Sequence, residues 1–237
     1  MRDLTLPPYW EEPREPFIRS PAIVLATIGI VFAIHVAGAL APDVYRSELD
    51  AQLALSPSRF TSLWLHGASF AELLATMLTL LTYAFLHDDF MHVAVNSVCI
   101  LAAATPVARR IGTGRFLAFC CVTAVCAALA HIATHLGSSE PRMGASGVVF
   151  GMIGAFARFM FLDPKQPAVW PRVTQPLITR SVLVWTGIWT ASILLLGLFQ
   201  ASTGALARYP DWEGHLGGFY AGLLLFPLFD RNRTWLR

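Results

Sequence analysis

Six runs of apolar residues divide the chain and predict helices of membrane-spanning length. A helix needs about 20 apolar residues to cross about 30 Å of hydrocarbon, and each run reaches or approaches that length. The runs occupy residues 22–41, 91–108, 116–136, 146–161, 182–199 and 215–229. We therefore expect an all-α membrane protein, a bundle of six transmembrane helices. The fourth and sixth runs are the shortest, so their helices should end below the membrane surface and leave a water-filled recess above them.

A further apolar segment, residues 67–86, competes with this count because Glu72 alone interrupts it. If this segment crossed the membrane, the basic residues Arg109, Arg110 and Arg115 would lie outside the cytoplasm, against the tendency of Lys and Arg to stay inside. We therefore predict that residues 42–90 form a long extracytoplasmic first loop. Its apolar part should be partly embedded in the membrane interface as an amphipathic helix.

The two ends of the chain differ from the apolar region between them. Residues 1–20 hold four prolines among mixed charges, a composition typical of disorder. The sequence therefore predicts a disordered tail over residues 1–20, one membrane domain over 21–230 and a short tail over 231–237. Most of the 17 Lys and Arg residues lie in these tails and in the second-to-third and fourth-to-fifth connections. Both termini should then be cytoplasmic, in a cell membrane that we expect to be a bacterial inner membrane.

Composition supports a membrane protein and excludes other classes. The chain is 55% hydrophobic and 14% charged, with a mean hydropathy of +0.56, whereas soluble domains carry about a quarter charged residues. The net charge of +2 is too small and too scattered to indicate a nucleic-acid partner. All four cysteines lie inside apolar runs, which favours buried thiols over disulfides or a metal cluster.

The fourth run opens with Gly144-Ala145-Ser146-Gly147. A serine at a helix start is usually an N-cap, which is the ordinary interpretation of Ser146. However, the first turn of a helix also offers free N–H groups and the positive end of the dipole to a developing oxyanion. Gly144 and Gly147 would let a substrate backbone approach closely. Ser146 is therefore a candidate nucleophile.

The sixth run opens with His215-Leu216-Gly217-Gly218. This histidine could simply face water beside two acidic residues. However, His215, Gly218 and Gly222 share one helix face, and the fourth run carries a similar stripe of small residues. Small residues at this spacing let membrane helices touch backbone to backbone. If the stripes meet, His215 comes within hydrogen-bonding reach of Ser146 as a general base, with no aspartate required.

Two polar residues on the second run, His92 and Asn96, are four positions apart and so share a helix face. They should point into the bundle, where both can donate hydrogen bonds to an oxyanion. The alternative is a buried polar pair that only joins helices. His87 lies just upstream and is a candidate to line the same site.

A second histidine pair, His131 and His135, has the i, i+4 spacing of a metal chelate. It lacks the glutamate that the zinc-protease signature H-E-x-x-H carries after its first histidine. We interpret the pair as a feature of the outer end of the third helix and expect no metal in the catalytic chemistry.

In combination and in order, these motifs resemble those of the rhomboid family of intramembrane serine proteases. The resemblance covers roughly residues 80–230. By position, Ser146 matches the serine of G-x-S-G, His215 the histidine of H-x-G-G, and His92 and Asn96 the H-x-x-x-N pair that supports the oxyanion. Phe150 matches an aromatic residue, usually Tyr, that packs on the catalytic histidine. The resemblance implies a rhomboid-like six-helix bundle and a Ser/His-dyad endopeptidase without cofactor.

The chain departs from the family pattern at two places. Leu78-Thr79 stands where many relatives carry Trp-Arg in the first loop, and Ala108 where some carry a glutamate. Neither position takes part in the bond-breaking step, so we expect these departures to affect the stability of the loop and not the activity. The family implies single-span membrane proteins as substrates within the lipid bilayer. A rhomboid-like pseudoprotease that binds membrane helices, or a polytopic transporter, remain the alternative functions, and the sequence predicts no oligomeric state.

Overall fold

The fold is described from a computed structural model, which covers residues 20–161, 174–203 and 211–230. The predicted tails fall outside these ranges except for Ser20. Within the ranges, the chain forms nine α-helices and a 3-10 turn at Tyr83–Phe85, and no β-sheet. The helices are α1 (Ala22–Leu40), α2 (Asp43–Leu53), α3 (Pro57–His66), α4 (Phe70–Thr82), α5 (Phe90–Ile111), α6 (Thr113–Thr134), α7 (Ser146–Phe156), α8 (Arg180–Thr203) and α9 (Trp212–Phe229).

Each of the six predicted runs lies in a helix. Four stretches among the described residues are long and apolar enough to cross a membrane: Ala22–Leu40, Phe90–Ile111, Thr113–Thr134 and Arg180–Phe199. The fourth run forms only the 11-residue helix α7, which ends at Phe156 rather than 161. The chain turns there because the buried Arg158 side chain donates to Leu223 O at 2.8 Å and fixes the segment against α9.

The segment that the sequence predicts to be the first loop, residues 42–90, holds three helices and the 3-10 turn. Helix α4 begins with a capping box, in which Ser69 Oγ accepts from Glu72 N and Glu72 accepts from Ser69 N at 2.8 Å. Its polar residues Thr76 and Thr79 are buried, while most of its large apolar residues face outward and Leu80 and Leu81 pack against the core. An amphipathic helix with its apolar face outward is suited to contact with lipid.

Helix α9 forms the centre of the bundle because glycines let α7 approach it closely. A side chain on Gly218 would overlap the carbonyl of Gly147, and one on Gly222 would overlap the carbonyl of Gly151. The predicted contact between the two small-residue stripes is therefore confirmed. It brings the first turns of α7 and α9 side by side.

A buried ion pair joins the C-terminal ends of α5 and α9. Arg110 donates to the Asp230 carboxylate from Nη2 at 2.7 Å and from Nε at 3.1 Å. The Arg110 guanidinium also lies 5.0 Å from the ring centre of Phe159. Two further phenylalanines, Phe119 and Phe226, fill the core beside it. This end of the bundle is rigid and remote from the first turns of α7 and α9.

Candidate active site

Ser146 and His215 form a hydrogen bond, with His215 Nε2 at 2.9 Å from Ser146 Oγ. Ser146 is the first residue of α7 and His215 lies in the first turn of α9. Both side chains are half-buried. The structure therefore brings the predicted nucleophile and the predicted base within hydrogen-bonding distance of each other.

The ordinary N-cap interpretation of Ser146 does not describe its place in α7. Ala145 occupies the N-cap position, and the Ser146 hydroxyl bonds His215 instead of a backbone N–H of its own helix. The N–H groups of the first turn have no partner within the helix. Gly144 precedes the turn with φ +129, a conformation that side chains rarely adopt. The serine hydroxyl and several backbone donors thus share one helix terminus.

Phe150, one turn after Ser146, stacks on the imidazole of His215. The ring centres are 4.4 Å apart and the ring planes are inclined by 28°. Trp189 of α8 in turn contacts Phe150 edge to face, with ring centres 6.0 Å apart. These contacts restrict rotation of the histidine ring and keep Nε2 directed at the serine.

The His92 side chain lies beside the start of α7. The His92 ring packs so closely on Gly144 that a Cβ there would lie 2.9 Å from both Cε1 and Nε2 of the ring. His92 Nδ1 faces Asp88 Oδ2 at 3.4 Å, which leaves Nε2 for the site. Asn96 is buried one turn later, and its Nδ2 donates to His92 O at 3.2 Å.

His87 is part of the same cluster, in the loop that precedes α5. Ala145 N donates to His87 Nε2 at 3.4 Å, and the His87 ring lies edge-on to His92 with centres 4.9 Å apart. Burial lowers the pKa of His87 to about 4, and the neighbouring His92 acts in the same direction. A neutral ring is what the hydrogen bond requires, because Nε2 must have a free lone pair to accept the hydrogen bond from Ala145 N–H.

Two residues that the sequence did not predict as part of the site also support its backbone. Tyr83 O accepts from Gly144 N at 3.0 Å, and the Tyr83 hydroxyl donates to Ala124 O of α6 at 2.9 Å. Asp211 O accepts from His215 N at 3.0 Å at the start of α9. Asp211 could have been found from its place beside His215, whereas no local signal distinguishes Tyr83.

The Asp211 carboxylate is held by cationic and polar groups from two other segments. Its Oδ1 lies 2.9 Å from His131 Nδ1 of α6 and 3.6 Å from Arg142 Nη2. Burial raises the pKa of Asp211, but the hydrogen bond from His131 and the charge of Arg142 outweigh burial and hold the pKa below its ordinary value. This anchor fixes the first turn of α9 and with it the backbone of His215.

The predicted boundary pair His131 and His135 does lie at the end of α6, with His135 as the C-cap residue. Glu213 of α9 faces the pair, and one potential ligand atom of each of the three residues lies within 4.8 Å of the others. These three are the residues that could hold a metal ion near the site, although none of them touches Ser146 in the contacts described above.

Comparison with known proteins agrees with the family that the sequence resembles. A family profile described as "Rhomboid domain" matches residues 74–231. The chain is 29% identical over 143 residues to "Rhomboid protease GluP" of Bacillus subtilis, covering 60% of this chain and 24% of that protein. It is 28% identical over 175 residues to "Rhomboid-like protease 3" of Toxoplasma gondii, covering 72% of this chain and 59% of that protein.

A third relative, "Rhomboid protein 1, mitochondrial" of Saccharomyces cerevisiae, is 24% identical over 159 residues, covering 65% of this chain and 42% of that protein. The chain thus spans between about a quarter and three fifths of the length of these relatives. The matched region holds α5 to α9 and the helices long enough to cross a membrane, apart from α1. The protein is therefore a multi-pass membrane protein that belongs to the rhomboid family.

Proposed function

We propose that this protein is an intramembrane serine endopeptidase in which Ser146 is the nucleophile and His215 the general base. The observation that carries the proposal is the 2.9 Å contact between His215 Nε2 and Ser146 Oγ at the N-terminus of a short apolar helix. A nucleophile and a base within hydrogen-bonding distance, with the base held by a third group, have the arrangement of covalent catalysis. Phe150 is that third group here.

The reaction begins when a substrate peptide bond reaches Ser146. His215 Nε2 takes the hydroxyl proton while Oγ attacks the carbonyl carbon, which gives a tetrahedral oxyanion. The oxyanion collapses as the C–N bond breaks, and His215 returns the proton to the departing amine. A water molecule, deprotonated by His215, then hydrolyses the acyl-serine and releases the second product.

The negative charge of the oxyanion needs donors fixed before the reaction starts. We assign this role to the Ser146 N–H, to the His92 ring and to the Asn96 amide. His92 packs on Gly144, and Ser146 N–H belongs to the open first turn of α7. A single donor of this kind is worth about 2.7–4 kcal/mol of transition-state stabilisation in other enzymes. His87 does not contact the oxyanion itself. It positions the first turn of α7 by accepting a hydrogen bond from Ala145 N.

In this proposal the membrane domain comprises residues 21–230, with cytoplasmic tails at 1–20 and 231–237. Six helices cross or enter the cell membrane: α1, α5, α6, α7, α8 and α9. The 11 residues of α7 are too few to cross the hydrocarbon, so Ser146 lies below the surface in a hydrated recess. The first loop lies partly in the outer interface. The substrates are single-span membrane proteins whose helix unwinds to present a peptide bond to Ser146.

The two alternative functions account for fewer observations. A pseudoprotease would bind membrane helices without needing the Ser146–His215 hydrogen bond. A transporter would use buried polar residues along a path, whereas the polar residues here cluster at the first turns of α7 and α9. Neither alternative explains why the Phe150 ring stacks on His215.

Labelling with a serine-directed fluorophosphonate tests the proposal. Wild-type protein in detergent should be labelled at one site and should cleave a model membrane substrate. Ser146→Ala should lose both labelling and cleavage while its melting temperature stays nearly unchanged, because one half-buried hydroxyl is removed. Ser97→Ala, a serine on α5 that bonds Val93 O, is the matched control and should be labelled normally. Wild-type cleavage in Ser146→Ala would refute the mechanism, and folded wild-type protein without labelling or cleavage would favour the pseudoprotease.

A further inference from the structure

The last turn of α6 and the first turn of α9 hold a polar cluster that the peptidase mechanism does not use. His131 and His135 stack face to face, with ring centres 4.3 Å apart and planes inclined by 13°. Glu213 of α9 approaches them, with Oε1 at 3.8 Å from His135 Nε2. The sequence pair offered only two ligands, whereas the fold adds a carboxylate from a helix more than 70 residues away in sequence.

We infer that His131, His135 and Glu213 form a binding site for a divalent transition-metal ion of the Zn²⁺ type, separate from the Ser146–His215 dyad. Imidazole and carboxylate together suit zinc, and two histidines with one glutamate are a known three-ligand set that leaves the fourth position to water. One potential ligand atom of each residue already lies within 4.8 Å of the others.

The orientation of both imidazoles supports this inference. His131 Nδ1 lies 2.9 Å from the Asp211 carboxylate. His135 Nδ1 lies 3.0 Å from Thr134 Oγ1 and 3.3 Å from His131 O. Metal-bound histidines usually have one ring nitrogen next to a carboxylate or carbonyl, which fixes the orientation of the ring and leaves the other nitrogen for the metal. Here Nε2 is the nitrogen left on each ring.

The surroundings of Glu213 give a second, independent reason. Its side chain is 9% exposed, and Oε2 is buried without a hydrogen-bond partner. A buried carboxylate oxygen without a partner is costly, and a bound cation would supply the missing interaction. The His135 side chain is 32% exposed, so an ion can reach the cluster from the aqueous side.

Binding requires only a local adjustment. Ligand atoms about 2.0–2.2 Å from a tetrahedral zinc ion lie roughly 3.3 Å from one another, so the most distant atoms must approach by about 1.5 Å. His135 can make this movement because it lies at the exposed end of α6. The bound ion would then join α6 to the first turn of α9, two residues before His215. No step of the peptidase reaction passes through the ion, and the inference does not depend on the proposed function.

The first experiment is a Zn²⁺ titration of the untagged full chain, carried out in both wild type and Ser146→Ala. We expect one ion per chain in competition with a chromogenic chelator, and a melting temperature that rises with Zn²⁺ in both proteins. Because Ser146→Ala is inactive under the proposed function, metal binding and peptidase activity can fail separately. Peptidase activity, where present, should persist in chelator.

Two single variants remove one ligand each: His135→Ala, at the exposed end of α6, and Glu213→Gln, which keeps the shape of the side chain. Each should weaken Zn²⁺ binding at least tenfold and abolish the rise in melting temperature. His66→Ala, an exposed histidine on α3, is the control and should bind as wild type does. Asp211→Asn leaves all three ligands but removes the carboxylate behind His131, so affinity should fall about 10- to 100-fold with the stoichiometry unchanged.

Co²⁺ gives a direct spectroscopic readout that does not require a melting transition. Wild type should show the intense visible absorption of tetrahedral Co²⁺, and both ligand variants should lose it. The inference is overturned if wild type binds no Zn²⁺, or if His135→Ala and Glu213→Gln, still folded by circular dichroism, bind Zn²⁺ and Co²⁺ as tightly as wild type.

Discussion

The carbonyl group of Gly147 occupies the space where a side chain on Gly218 would begin. This contact lies directly beside the candidate active site, because Gly147 follows Ser146 and Gly218 lies one turn after His215. No other residue fits at position 218 without separating α7 from α9. The separation of two glycine backbones therefore sets the distance between Ser146 and His215.

Gly218→Ala tests this relationship with a single methyl group. The added Cβ would overlap backbone atoms that cannot rotate away, so the helices must move apart. A misplacement of about 1 Å can reduce a catalysed rate about a hundredfold, and overpacking should lower the free energy of unfolding by roughly 1–3 kcal/mol. Gly187→Ala on α8 is the matched control, because nothing lies within 4 Å of its added Cβ. Equal cleavage rates in the two variants would show that this contact does not position the dyad.

The sequence predicted the six helical runs, the meeting of the glycine stripes and the pairing of Ser146 with His215. These predictions succeeded because each rests on a local pattern with a strong physical cause: apolar length, small-residue spacing, or the cost of a polar side chain in hydrocarbon. The C-terminal end of α7 was predicted less well. Its early end depends on Arg158, which donates to Leu223 O of α9, a partner that no local pattern reveals.

The supporting residues of the site show the same limit. Tyr83 and Asp211 act through backbone and side-chain contacts with segments far away in sequence. Glu213 joins His131 and His135 only because α9 packs beside the end of α6. Such groupings are properties of the assembled bundle, and no local pattern in the sequence indicates them.

Phe150→Leu tests whether the aromatic stack restrains the base. Leucine keeps an apolar side chain of similar size but cannot stack on the imidazole. Aromatic pairs contribute about 0.5–1.5 kcal/mol beyond burial, so kcat should fall about 2- to 10-fold if this energy is lost from the transition state. KM should change little, because Phe150 contacts the histidine ring. Phe90→Leu, on the exposed first residue of α5, is the control, and a loss confined to KM would argue against a positioning role.

Arg110→Ala tests the ion pair at the other end of the bundle. Removing the guanidinium takes away the Nε and Nη2 donors that contact the Asp230 carboxylate, whose side chain is 0% exposed. Breaking one side of a buried pair costs roughly 3–5 kcal/mol, so the denaturation midpoint should fall sharply. The exposed neighbour Arg109→Ala should have little effect. Labelling of Ser146 per folded molecule should persist in Arg110→Ala, because the dyad lies at the far end of α9. A denaturation midpoint equal to that of Arg109→Ala would contradict the assignment.

His87 should make the stability of the protein depend on pH. The groups that face it are His35 on α1, His92 on α5, the adjacent Asp88, and Arg46 and Asp50 of α2, which line the same cavity. Burial, assisted by His92 and His35, lowers the pKa of folded His87 from 6.5 to about 4, so the unfolded chain takes up a proton at a higher pH than the folded chain does. The stability that neutral His87 contributes is complete above pH 6.5 and is lost as the pH falls towards 4.

His87→Gln keeps an acceptor for Ala145 N–H but does not titrate. Between pH 7.5 and 4, the melting temperature of wild type should therefore fall more steeply than that of His87→Gln. Parallel curves for the two proteins would mean that His87 is not held neutral beside the nucleophile.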